Sequence, residues 1–163
     1  MATTKVSLEE YLKTSYRPDV EYIDGELQER NVGEIEHARM IMAVLKWFVG
    51  RSQQWRIEVL PDVRVQVKAE RFRVPDVCIC AASNSDTHIV TTAPLVVVEV
   101  LSPEDRIGDY RDRIADYLGM GIHGVWMIDP ATRKGWDCST GNWVETAIFR
   151  LAASPIYLDL SAI

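Results

Sequence analysis

The sequence predicts a mixed α/β (α+β) fold, with a mixed central sheet flanked by helices, an N-terminal hairpin and short C-terminal strands. Three observations predict it. The run Leu95-Val96-Val97-Val98-Glu99-Val100-Leu101 is apolar except for one residue and rich in Val, the pattern of a central strand covered on both faces. Segments 34–50 and 104–119 carry apolar residues at helical spacing. Asp24-Gly25, a hairpin turn signal, joins two short strand-like segments.

Each element has its own reason. Ser7 followed by Glu10 makes a capping box for a short helix with Leu8, Tyr11 and Leu12 as apolar positions, stopped by Arg17-Pro18-Asp19. Residues 20–23 and 26–29 form the hairpin arms. Over 34–50, Ile41, Val44, Leu45 and Phe48 share a face, His37 lies on that face one turn before Ile41, and Gly50 ends the helix. Strands are expected at 56–60, 63–67 and 74–80, then a polar loop at 82–92. Ser102 as N-cap and Pro103 as first helical residue open the second long helix, whose stripe is Ile107, Tyr110, Ile114, Tyr117 and Leu118. Residues 125–128 read as a short buried strand, and turns at Lys134-Gly135 and Thr140-Gly141-Asn142 separate further short strands. With 163 residues and no repeat or linker, the reading is a single domain over 1–163.

Composition narrows the function. Hydrophobic residues make up 47% and charged residues 26%, ordinary for a globular protein. The net charge of -6 argues against broad, non-specific nucleic-acid affinity, while 18 Lys and Arg leave room for a local basic cleft. Three cysteines give no disulfide framework, and Cys78 and Cys80 read as core thiols rather than zinc ligands. No apolar segment follows Met1-Ala2-Thr3-Thr4-Lys5, and no run approaches the ~20 residues of a membrane span, so a cytoplasmic location without membrane contact is expected.

Glu99 is the decisive residue. An ionised carboxylate buried alone costs several kcal/mol or more, so it must be paired, protonated or bound to a cation. Asp76 opens another apolar run, Val77-Cys78-Ile79-Cys80. If the two strands are neighbours, the two acids meet at one sheet edge, and two hard oxygen ligands with waters suit Mg²⁺ or Mn²⁺. The bland alternatives are a structural ion pair between Glu99 and Arg113, and a strand-end cap at Asp76. Asp105, Asp109, Asp112 and Asp116 read as a solvated acidic helix face, Trp47 and Trp126 as core, and Ser102 as a cap rather than a nucleophile.

The run Val20-Glu21-Tyr22-Ile23-Asp24-Gly25-Glu26-Leu27, His37 at a helix start, Val74-Pro75-Asp76-Val77, Val98-Glu99-Val100-Leu101-Ser102-Pro103, Asp109, Tyr117, and the stretch from Gly121 to Pro130 with Trp126 and Asp129 resemble the Uma family of putative restriction endonucleases. That family belongs to the PD-(D/E)XK nuclease superfamily. The resemblance covers residues 7–130. It implies a restriction-endonuclease-like fold and a Mg²⁺- or Mn²⁺-dependent endonuclease hydrolysing DNA phosphodiester bonds. Asp76 and Glu99 would hold the metal, with Arg113, His37 and Glu21 as further candidate catalytic residues. Leu101 stands where the superfamily has a Lys; in the Uma-like pattern the Lys comes from the following helix, where this chain has Arg113. An Arg is always charged and a poor proton acceptor. His37 is alternatively a packed histidine, Arg113 an (i, i+4) partner of Asp109, and Glu21 and Glu26 exposed hairpin charges. Cutting both strands needs two sites, so a homodimer is expected, with the hairpin from Trp136 to Trp143 offering a contact surface. The second reading is a weak or inactive nuclease-fold protein that binds nucleic acid or a protein partner, and the third a purely structural module.

Overall fold

The computed structural model describes residues 5–30 and 33–163; the Met1-Ala2-Thr3-Thr4 start lies outside them. Helix α1 (Leu8–Lys13) begins as the capping box requires, with the Ser7 hydroxyl accepting from the Glu10 N–H, but it ends at Thr14, before Arg17-Pro18-Asp19. Strands β1 (Glu21–Ile23) and β2 (Glu26–Gln28) form the hairpin. Asp24 and Gly25 both take positive φ, 52° and 96°, as this tight turn demands. Helix α2 (Ile35–Val49) follows, then the one-turn α3 (Ser52–Trp55). Next come β3 (Ile57–Pro61), β4 (Val65–Lys68), β5 (Arg71–Arg73), β6 (Val77–Ala81) and β7 (Val96–Val100). Helix α4 (Ile107–Met120) leads to β8 (Gly124–Asp129), β9 (Lys134–Asp137), β10 (Val144–Glu145), β11 (Ile148–Arg150) and β12 (Tyr157–Asp159).

The central sheet has the order β10-β9-β8-β7-β6-β3. Its β7–β8 pair is parallel and every other pair antiparallel, so the sheet is mixed. Helix α4 makes the crossover between the parallel neighbours. A second, antiparallel sheet runs β2-β1-β5-β4, and β11 pairs with β12.

Alternation along β6 and β7 divides the core. Val77, Ile79, Val96, Val98 and Val100 pack with Met40, Val44, Trp47 and Phe48 of α2. Cys78, Cys80 and Val97 pack with Tyr110, Ile114 and Tyr117 of α4 and with Val65 and Val67 of β4. Both faces of β7 are covered, which is why its sequence is a continuous apolar run. Val44 and Phe48 are fully buried, each contributing about 2 kcal/mol relative to exposure. Trp126, Trp47, Cys78 and Cys80 are core residues, as expected, and Cys138 is buried as well.

Three local expectations fail. Helix α4 starts at Ile107, not at Ser102-Pro103, because Asp105 and Tyr110 draw the Ser102 N–H into a preceding turn. Ile107 is consequently 70% exposed and leaves the apolar stripe. Lys134-Gly135 lies inside β9; the turn before it comes earlier, with Arg133 at φ 57°.

Candidate active site

The β6–β7 register builds the site. Val77 pairs with Val98, Cys78 with Val97 and Ile79 with Val96. One step further, the same register sets Asp76 opposite Glu99 at the ends of these two central strands. Directly opposed residues of an antiparallel pair point to the same side. Asp76 is 3% and Glu99 1% exposed. The Asp76 Oδ2 accepts the Val100 N–H at 2.7 Å, which locks the carboxylate against β7.

Helices α2 and α4 close the site. His37, in the first turn of α2, places Nε2 2.9 Å from the Val100 carbonyl oxygen and 3.6 Å from Asp76 Oδ2. Gly33 lets the ring sit there: a Cβ on Gly33 would lie 2.2 Å from His37 Nδ1. From α4, the Tyr117 hydroxyl donates to Glu99 Oε1. Arg113 Nη1 stands 3.9 Å from Glu99 Oε2, with the guanidinium 5.4 Å from the Tyr110 ring centre. Tyr110 donates its hydroxyl to Asp105. Asp76, Glu99, His37, Arg113, Asp105, Tyr110 and Arg30 thus line one cleft of about 20 Å³, room for roughly one water-sized occupant.

Four of the five candidate residues therefore meet. Glu21 lies behind them. It is fully buried rather than an exposed hairpin charge. Its Oε2 accepts from Arg73 Nη1 at 2.8 Å and stands 3.5 Å from Arg113 Nε, while Oε1 accepts the Val74 N–H. The pairing of β1 with β5, a contact between distant segments, brings Arg73 to it. Glu26 is half-buried on β2 and makes no side-chain ion pair among the described residues.

The acidic face of α4 also needs correction. Asp116 is 1% exposed, and Arg73 clamps it through Nε at 2.8 Å and Nη2 at 2.7 Å. Arg71 and Lys68 add contacts at 3.0 and 3.2 Å. The cations come from β4 and β5, so helix periodicity alone assigns Asp116 outward. Asp105 precedes the helix and faces the cleft. Asp112 is solvated as expected. Arg113 pairs with Glu99 and Glu21 rather than with Asp109.

Arg30, Arg73, Asp105, Tyr110 and Asp116 are the residues that sequence reasoning missed. Arg73 carried a signal, a cation directly before Val74-Pro75-Asp76. Arg30 carried none.

Electrostatics separate the two acids. Burial pushes Asp76 upward, but His37, Arg30 and the Val100 N–H outweigh it and hold the carboxyl below its usual value. Burial pushes Glu99 up to about 7, against the pull of Arg113. Asp76 in turn raises His37 above 6.5. Burial opposes the Arg113 charge, yet Glu99 and Glu21 more than restore it, so it stays a cation.

The donor chemistry suits a hard divalent cation: two carboxylates at one cleft. Burial, which raises Glu99, disfavours its charged form, and a cation beside it would favour that form. Among the described residues, no group of three or more His, Cys, Asp and Glu side chains is gathered as a complete ligand cage. Any cation there shares Asp76 with Arg30, whose Nη2 lies 2.6 Å from Oδ1.

A family model described as Uma2, putative restriction endonuclease, matches residues 8–156. The chain belongs to this family. The fold agrees: a crystal structure of a putative nuclease belonging to DUF820 from Anabaena variabilis ATCC 29413 is similar with a TM-score of 0.70. That match has 20% identity and covers 94% of this chain and 84% of the other. No curated protein matches. Among the described residues of this Uma2 family member, no helix is long and apolar enough to cross a membrane.

Proposed function

We propose that this chain is a metal-dependent endonuclease that hydrolyses DNA phosphodiester bonds at the Asp76–Glu99 cleft. The observation that carries the reading is the juxtaposition of two buried carboxylates by the β6–β7 register, in a chain of this family. Asp76 and Glu99 would hold Mg²⁺ or Mn²⁺, which when bound acidifies a water and offsets phosphate charge.

The chain's own groups supply the rest. Tyr117 donates to Glu99 and fixes the carboxylate toward the cleft. His37 Nε2 donates to the Val100 carbonyl and lies 3.6 Å from Asp76 Oδ2, so it holds the Asp76 end of the cleft. Arg113 stabilises the negative charge that grows on the phosphate as water attacks phosphorus in line and the leaving oxygen departs opposite. It accepts no proton, because its charge is held by Glu99 and Glu21. Glu21 acts through Arg113 and Arg73, without reaching the cleft. A homodimer would supply the two sites that double-strand cleavage needs. The β9–β10 hairpin, with the Trp136 and Trp143 rings 5.9 Å apart and Val144 54% exposed, offers a contact surface.

Supercoiled plasmid tests the proposal. Conversion to open circles with Mg²⁺ or Mn²⁺, lost in Asp76→Ala, is the expected result; no conversion with either metal rejects it. The arginines favour one other reading, a nuclease fold kept for binding, because Arg30 and Arg113 already sit against both carboxylates. Wild-type protein that binds DNA without cutting it, together with an Arg113→Lys variant that cuts, would select that reading.

A further inference from the structure

Arg30 stands two residues beyond β2 and spans the mouth of the cleft. Its Nη2 donates to Asp76 Oδ1 at 2.6 Å, and its Nη1 donates to Asp62 Oδ1 at 2.7 Å. The two acids differ sharply: the Asp76 side chain is 4% exposed and that of Asp62 61%. The inner half of the guanidinium is therefore held by a buried carboxylate, and the outer half by a solvated one. Solvated ion pairs contribute little and exchange readily.

Both Asp76 oxygens are engaged, Oδ1 by Arg30 and Oδ2 by the Val100 N–H. A cation that reaches Asp76 must compete with Arg30. The guanidinium also has the planar fork that phosphate oxygens accept in pairs. A phosphodiester docked at the mouth of this cleft would face Arg30, with Arg113 and His37 lining the cleft behind it.

We propose that Arg30 is an exchangeable latch. In the free protein it occupies Asp76; an incoming phosphodiester draws the guanidinium onto its non-bridging oxygens and leaves Asp76 open to a divalent cation. Substrate and metal then favour each other's binding, as linkage requires. This inference rests on the nuclease reading of the same cleft, and it assigns Arg30 as a phosphate-contacting residue that also controls access to Asp76.

The test uses wild type, Arg30→Gln and Arg30→Lys at neutral pH. Mn²⁺ alone is titrated by calorimetry, and a short DNA duplex is bound in EDTA over a range of salt. Arg30→Gln should bind Mn²⁺ about tenfold more tightly, the factor matching one charge-assisted hydrogen bond that no longer competes. It should bind DNA more weakly, with the slope of log K against log salt reduced by about one. Arg30→Lys keeps the charge without the fork, so its Mn²⁺ affinity should fall between the two and its salt slope should match wild type. Thermal melts establish that each variant is folded; if Arg30→Gln is not, the Mn²⁺ shift of Arg30→Lys decides. Wild type that binds both ligands beside variants that change neither would make Arg30 a structural ion pair and overturn the inference. Tighter Mn²⁺ with an unchanged salt slope would refute the transfer to phosphate. Wild type that binds neither Mn²⁺ nor DNA would remove the nuclease reading itself, and the latch with it.

Discussion

Replacing Asp116 by alanine distinguishes a solvated acidic helix face from a buried charge network. Asp116 takes one hydrogen bond from Arg73 Nε at 2.8 Å, an ion-pair contact from its Nη2 at 2.7 Å, and further contacts from Arg71 and Lys68. Arg73 is itself 3% exposed, so it cannot turn to water when Asp116 is removed. Breaking a buried pair by removing one partner costs about 3–5 kcal/mol. For a chain of this size each kcal/mol lowers Tm by roughly 2–4 °C, so the expected fall is about 6–20 °C. Urea unfolding of Asp116→Ala beside Asp112→Ala measures it. Asp112 lies on the same helix but is exposed, and its loss should stay within about 0.5 kcal/mol. A cycle combining Asp116→Ala with Arg73→Gln should return a coupling above about 1 kcal/mol. A loss below about 1 kcal/mol for Asp116→Ala would refute the buried network, and with it the argument that β5 positions Glu21 and, through it, Arg113.

Three further predictions follow from the cleft. Glu99 titrates near 7 in the folded chain against 4.5 unfolded, so the folded state holds a proton that the unfolded state has released between those values; stability from this group is greatest below pH 4.5 and falls as pH rises to 7. Relative to wild type in EDTA, Glu99→Gln should therefore gain about 3 kcal/mol across that window, read from urea unfolding at several pH values, and a pH-independent difference would contradict it. Arg113→Lys should cut plasmid several-fold faster than wild type, since a lysine can give up its proton and an arginine cannot; slower cutting would show that the fixed charge is what this site requires. Gly33→Ala should displace the His37 ring, because the new methyl would lie 2.2 Å from Nδ1; an unshifted His37 resonance by NMR would refute that contact.

Local physics made much of this legible in the sequence. The covered strand around Glu99, the Asp24-Gly25 hairpin, the Ser7 cap and the α2 helix each depend on neighbours within a few residues. The pairing of Asp76 with Glu99 was also readable, because two lone acids on consecutive apolar strands have few ways to be buried. What was not legible depends on contacts distant in the chain. Glu21 and Asp116 look like surface charges until β5 brings Arg73 between them. Arg30 is 46 residues from Asp76, and nothing in its own segment marks it. The false start of α4 at Ser102-Pro103 has the same origin: Asp105 and Tyr110 turn the chain toward the cleft before the helix begins.

The most direct measurement is plasmid nicking as a function of Mn²⁺ concentration, in wild type, Asp76→Ala, Glu99→Ala and the exposed control Asp112→Ala. The predicted result is nicking by wild type and Asp112→Ala that saturates with Mn²⁺, stops in EDTA and is absent from both acid variants. Nicking that persists in EDTA, or that survives loss of Asp76 and of Glu99, would contradict the assignment of this cleft as a metal-dependent phosphodiesterase site.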